Sequence, residues 1–234
     1  MKGSTPPITR LVWPDSCRLA PSRFPAVSIY DGVADPRDLA VAFAVEAITN
    51  ERIRNELGQL QLVPPEERVS GPGTTPIMAA FTHLNPEGSR FSDGTWGVFY
   101  AGESFATALA EVSHHRARFL RKTAEGPIEL DFRVYLTRVE AYLHDLRGER
   151  ETRAELYHPE SYAASQVFAR RLRAAGSWGI VYESVRRVEG ECVALFRPRA
   201  LSHCREDRHI ALVWDGQRMT QFFEKSAPER LDPS

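Results

Sequence analysis

Three side chains have the types and the spacing to edge one cleft, and a strand-end serine is a fourth candidate. They are Arg90 in the loop "GSRFSDG", Tyr100 near the end of "GVFYAG", Glu111 two turns into "SFATALAEVSHHRARFLRKT", and Ser184 at the end of "GIVYES". If the helix folds back on the strand before it, Arg90, Tyr100 and Glu111 edge one cleft. Glu111 lies beside the apolar Ala108 and Val112 rather than opposite them, so partial burial is expected of it. An arginine fork and a half-desolvated carboxylate sharing a cleft would hold an anion locally and stabilise positive charge nearby. Each residue also has a plain architectural role open to it: a solvated loop arginine, a core tyrosine, a helix-surface glutamate, and a serine that caps a turn. Ser184 has no histidine adjacent in sequence to activate it as a nucleophile.

Other signatures fail. "GPGTTP" and "GSRFSDG" miss the G-x-G-x-x-G spacing of a dinucleotide fold, and there is no P-loop, no H-E-x-x-H and no G-x-S-x-G. His114 and His115 are helix neighbours that point to different sides, a poor start for a metal site. Neither a metal nor a resident cofactor is expected.

The elements that must position the four residues can be read in outline. The proline-punctuated N-terminal third contains "DPRDLAVAFAVEAITNERIRNELG", a helix pattern with Asp35 to cap it, Pro36 in the first turn and Gly58 to close it. "IMAAFTHL" stays unassigned. Ser104 is placed to cap the helix that carries Glu111. Ile128, Leu130, Phe132, Val134 and Leu136 alternate with polar residues, which predicts a strand with one buried face. "ESYAASQVFARRLRAAG" predicts a helix closing at Gly176, followed by strands in "GIVYESV", "ECVALF" and "HIALVWDGQRMTQFFEK", with Asp215-Gly216 as a two-residue hairpin turn. Strands in succession, without strict alternation with helices, predict an α+β domain with a mixed sheet and flanking helices. The expected division is an N-terminal extension over 1–74 packed on the core, one domain over 75–225, and a flexible tail over 226–234.

With 234 residues, 42% of them hydrophobic, the chain can bury one sizeable core. Thirty basic against thirty-one acidic side chains leave no overall field to attract nucleic acid or an anionic membrane. The arginine groups at 116–121, 170–173 and 186–187 read first as solvated faces. Cys17, Cys192 and Cys204 are odd in number and lack C-x-x-C spacing, which argues against a disulfide framework or a zinc site and fits a reducing compartment. No apolar run has signal-peptide or membrane-span character, so a cytoplasmic location is expected.

"SRFSDGTWGVFYAGESFATALAE" followed by "SQVFARRLRAAGSWGIVYESVRRVEGECVALFRP" resembles the RES domain family, the toxin half of bacterial toxin-antitoxin pairs, named for an arginine, a glutamate and a serine. Arg90, Glu111 and Ser184 occupy those positions, and Tyr100 matches the tyrosine that members place between the first two. The likeness runs from about residue 75 to about 200, and "SRFPAVSIYDGVADPRDL" is similar to N-terminal extensions of some members. After the arginine this chain has Phe91 and Ser92, where many members have an aromatic and an asparagine.

The resemblance implies an ADP-ribosyltransferase-like fold, NAD+ as substrate, and cleavage of the nicotinamide–ribose bond by hydrolysis or phosphorolysis, depleting the NAD+ pool. In that reading Arg90 binds the diphosphate, Tyr100 lies against the nicotinamide, Glu111 stabilises the oxocarbenium-like ribose, and Ser184 hydrogen-bonds the substrate. Glu183 is a second acid that could share the role of Glu111. The implied partners are NAD+, inorganic phosphate as one acceptor, a small Xre-type helix-turn-helix antitoxin that carries the DNA contact, and a second copy in a homodimer. Two other readings stand beside it: transfer of ADP-ribose to a protein, and a module that binds NAD+ or an antitoxin without turnover.

Overall fold

The structure, a computed structural model, describes residues 4–22 and 58–226. The helix expected from Asp35 and all but the first residue of the expected tail lie outside these residues. Within them the chain forms strands β1 (Ile8–Pro21), β2 (Phe99–Gly102), β3 (Ile128–Asp145), β4 (Gly179–Glu183), β5 (Glu191–Leu195), β6 (Leu201–Trp214) and β7 (Met219–Lys225). The helices are α1 (Thr74–Thr82), α2 (Phe105–Lys122) and α3 (Ala163–Ala174), joined by short 3-10 turns. The α+β class and the mixed sheet are as expected. No helix among the described residues is long and apolar enough to cross a membrane.

The pairings close a ring. β1 lies antiparallel to β3 along nearly its whole length and touches β2 at one position, Cys17 opposite Gly102. β2 pairs with β5 and β5 with β4, both antiparallel, and β4 returns parallel to the last two residues of β3. β6 and β7 extend the sheet from the other edge of β3. Helix α1 packs one face through Ile77, Met78, Ala80 and Phe81, α2 packs another through Ala108 with Phe105, Leu109 and Val112, and α3 covers a third cluster with Phe168, Ala169 and Leu172.

Two local expectations change, and two unassigned stretches gain structure. β1 lies in the proline-punctuated N-terminal third and contains Pro14, but Pro14 and Asp15 fall where the register slips between Trp13 and Ser16, so the missing N–H breaks no ladder bond. "IMAAFTHL" belongs to α1. The single buried face expected of β3 holds for Phe132 and Val134 under α2, while Ile128 is exposed. From Tyr135 to Leu143 burial switches to the opposite face, against the α1 cluster, while Glu140 and Tyr142 on the first face are exposed. The Asp215-Gly216 hairpin is a four-residue loop, since Trp214 pairs with Met219 and Asp215 Oδ1 accepts from the backbone N–H of Gln217 and Arg218.

Candidate active site

Glu111 owes its position to the start of α2. The Ser104 hydroxyl caps the helix by accepting from the Thr107 N–H at 3.3 Å. One carboxylate oxygen of Glu103 accepts from the Thr107 and Ser104 hydroxyls, at 2.7 and 2.9 Å, and the other from the Glu191 N–H at 2.7 Å. That ties the helix to the first residue of β5. A β-carbon on Gly102 would lie 2.8 Å from the Ala108 nitrogen, so only glycine lets the first turn sit directly on the strand end.

Glu111 therefore projects from α2 toward the end of β4 with its side chain 18% exposed. Its Oε1 accepts a 2.6 Å hydrogen bond from Ser184 Oγ, and the Cys192 thiol stands 4.0 Å from the same oxygen. Ser184 is buried, and its Oγ accepts from the N–H groups of Arg186 and Arg187 at 3.1 and 3.0 Å. With its lone pairs held by the turn, the one hydroxyl hydrogen is directed at Glu111. Oε2 has His115 Nε2 at 3.9 Å. The His115 imidazole is held below the ordinary histidine value by desolvation, then by His114, Arg186, Arg90 and Arg118. It is thus neutral at neutral pH. Burial pushes the Cys192 thiol well up, and it stays protonated.

Tyr100 and Arg90 are coupled through the loop between them. Tyr100 Oη bonds the Ser89 hydroxyl at 2.8 Å and accepts from the Phe91 N–H at 2.9 Å, gripping the loop on both sides of Arg90. Burial pushes its hydroxyl up to about 12, against the pull of those bonds. Arg90 is buried; its Nη1 donates to the carbonyls of Leu156 and His158 at 2.9 and 3.1 Å, and its guanidinium lies 4.8 Å over the Tyr162 ring.

Arg90, Tyr100 and Glu111 line one cleft of about 670 Å³, and Ser184 stands behind Glu111, outside the lining. Glu183, its neighbour on β4, points elsewhere, toward Arg150 Nε at 3.5 Å and the Gly148 N–H at 3.4 Å. Against known proteins, the RES domain description matches residues 65–215. The chain belongs to the RES domain family. A similar curated protein is the uncharacterized protein y4oC of Sinorhizobium fredii (strain NBRC 101917 / NGR234), 30% identical over 211 residues, covering 88% of this chain and 85% of that one. Among solved structures, a chain of the M. tuberculosis MbcT-MbcA toxin-antitoxin complex superposes with a TM-score of 0.43 at 10% identity, over 94% of this chain and 87% of that one.

The cleft of this RES domain has walls that reading four residues missed. Along α2, His115, Arg118 and Lys122 follow Glu111 at helical spacing and line it in turn, a face that periodicity could have shown. Tyr162, Tyr182 and Arg18 also line it, brought from α3's approach, β4 and β1 with no local signal. Arg18 donates to the Tyr100 carbonyl at 3.0 Å, and burial lowers its guanidinium to about 10, still charged at neutral pH. A second cavity of about 770 Å³ shares Arg18, Ser89, Tyr100 and Arg116 with the first.

Proposed function

We propose that this RES protein breaks the nicotinamide–ribose bond of NAD+, by hydrolysis or phosphorolysis, as the toxin of a bacterial toxin-antitoxin pair. The observation that carries the reading is the Glu111 carboxylate, with one oxygen held by Ser184 and the other beside His115 in an arginine- and tyrosine-lined cleft. As the C–N bond lengthens, the pyridinium takes up its electron pair and leaves as neutral nicotinamide, and the ribose carbon gains oxocarbenium character. A carboxylate held in a partly desolvated site stabilises that charge better than water can. Ser184 orients the carboxylate rather than attacking. Arg90 spends Nη1 on carbonyls, and its Nε and Nη2, without protein partners among the described residues, suit the diphosphate. The Tyr100 ring offers the pyridinium an aromatic face.

The acceptor in this reading is water or inorganic phosphate. The neutralising partner is an Xre-type antitoxin that fills the cleft, which supports giving the DNA contact to the partner in view of this chain's formal charge of -1. The test is nicotinamide release from NAD+ by the purified protein, with and without phosphate, beside Glu111→Ala. Glu111→Ala is expected to lower turnover by about 100-fold or more, the scale of losing a preorganised electrostatic group. Near-normal release by that variant, or none by the parent, sinks the reading.

A further inference from the structure

Beside the cleft, between α2, the turn after β4 and the segment leading into α3, cations gather with little negative charge to answer them. The Arg186 side chain is 12% exposed. Its Nη2 donates to the Pro159 carbonyl, its Nη1 is 3.9 Å from Glu160 Oε1, and its Nε is buried with no hydrogen-bond partner among the described residues. His114 Nε2 is also buried, without a hydrogen bond among the described residues, and lies 3.8 Å from the same Glu160 oxygen. Arg118, one turn further along α2, reaches the Glu160 carbonyl at 3.5 Å with its guanidinium 5.6 Å over the Tyr162 ring.

A buried donor without a partner is destabilising, and a buried guanidinium with a distant counter-charge more so. Glu160, with its side chain 60% exposed, stands beyond hydrogen-bonding distance from both Arg186 Nη1 and His114 Nε2. We propose that Arg186, His114 and Arg118 form an anion subsite for a phosphoryl group, over which the Glu160 carboxylate rests as a loose internal stand-in. The donor set fits. Arg186 offers Nε on one edge of its guanidinium and Nη1 on another, a neutral imidazole protonated at Nε2 adds a third donor, and a phosphoryl group has more acceptor oxygens than the Glu160 carboxylate to set against them. Arg118 also lines the Glu111 cleft, so the phosphoryl group is either part of a molecule bound there or a free anion beside it. The subsite stands whether or not the cleft acts on NAD+.

Calorimetric titration of the full chain with inorganic pyrophosphate tests it. Glu160→Gln, which removes the competing charge, is expected to bind severalfold tighter than the parent. Arg186→Gln and Arg118→Gln are expected to bind at least tenfold more weakly. Arg118 is only half-buried on a helix, so its variant keeps the test sound if the Arg186 variant does not fold. Unchanged or weaker binding by Glu160→Gln, parental binding by Arg118→Gln, or no binding by any variant overturns the subsite. Repeating the titration with ADP-ribose present separates the two sources. Competition supports a subsite for a bound molecule's own phosphates, and undiminished binding supports one for a free anion.

Discussion

Ser184 has one hydroxyl hydrogen, and the turn that follows it leaves Glu111 as the acceptor. A hydrogen bond to a charged group is worth roughly 1.5–3 kcal/mol. Ser184→Ala should therefore lower kcat for nicotinamide release by about 10- to 100-fold with KM little changed; an unchanged kcat would mean that Glu111 holds its pose without it. Tyr100→Phe keeps the ring and loses both loop bonds, so urea unfolding should show a loss of about 1–2 kcal/mol. Burial holds Cys17 up at about 12 and Cys192 well above the ordinary thiol value. Neither should react with iodoacetamide at neutral pH while the chain is folded, as peptide mass spectrometry would show; rapid labelling of either would contradict their burial.

At the level of elements, α2 matters because its first turn touches β2. Gly102→Val would drive a side chain into the Ala108 backbone, and a destabilisation of about 1–3 kcal/mol is expected in thermal melts, with Glu111 displaced and activity lost in proportion. The end of β3 is held differently. Burial opposes the charge on Asp145, but the side-chain and backbone bonds from Arg147 outweigh it and keep the carboxyl below its ordinary value. Arg147 also bonds Glu191 of β5 at 2.9 Å. A depressed carboxyl stabilises the fold above its unfolded value of about 3.9, and that contribution fades as pH falls through the folded value. The stability gap between the parent and Asp145→Asn should thus shrink on acidification from about pH 6 to about pH 3, and a gap that widened would reverse the assignment. Helix α2 was legible down to its cap because capping and 3.6-residue periodicity are local; β1 was not, because its proline is acceptable only against the bulge that β3 provides.

For the molecule as a whole, ring closure depends on β1, which bridges β2 and β3 and carries Arg18 into the cleft. A chain lacking the first 22 residues should lose its cooperative thermal transition, because β3 would present a long unpaired edge. A sharp melt at the parental temperature would show the ring to be dispensable.

The amino-acid order alone determined the α+β class and helices α2 and α3, which follow from periodicity and capping acting over a few residues. Arg90, Tyr100, Glu111 and Ser184 were singled out as a set by the chain's resemblance to RES domains. Tertiary structure decided that Ser184 faces Glu111 across 73 residues, that Glu183 turns away, that Tyr100 grips the Arg90 loop, and that Tyr162 joins the cleft. Each of these rests on which strands pair and which face of a helix lands on them, and such long-range choices are set by burial and backbone pairing over the whole chain.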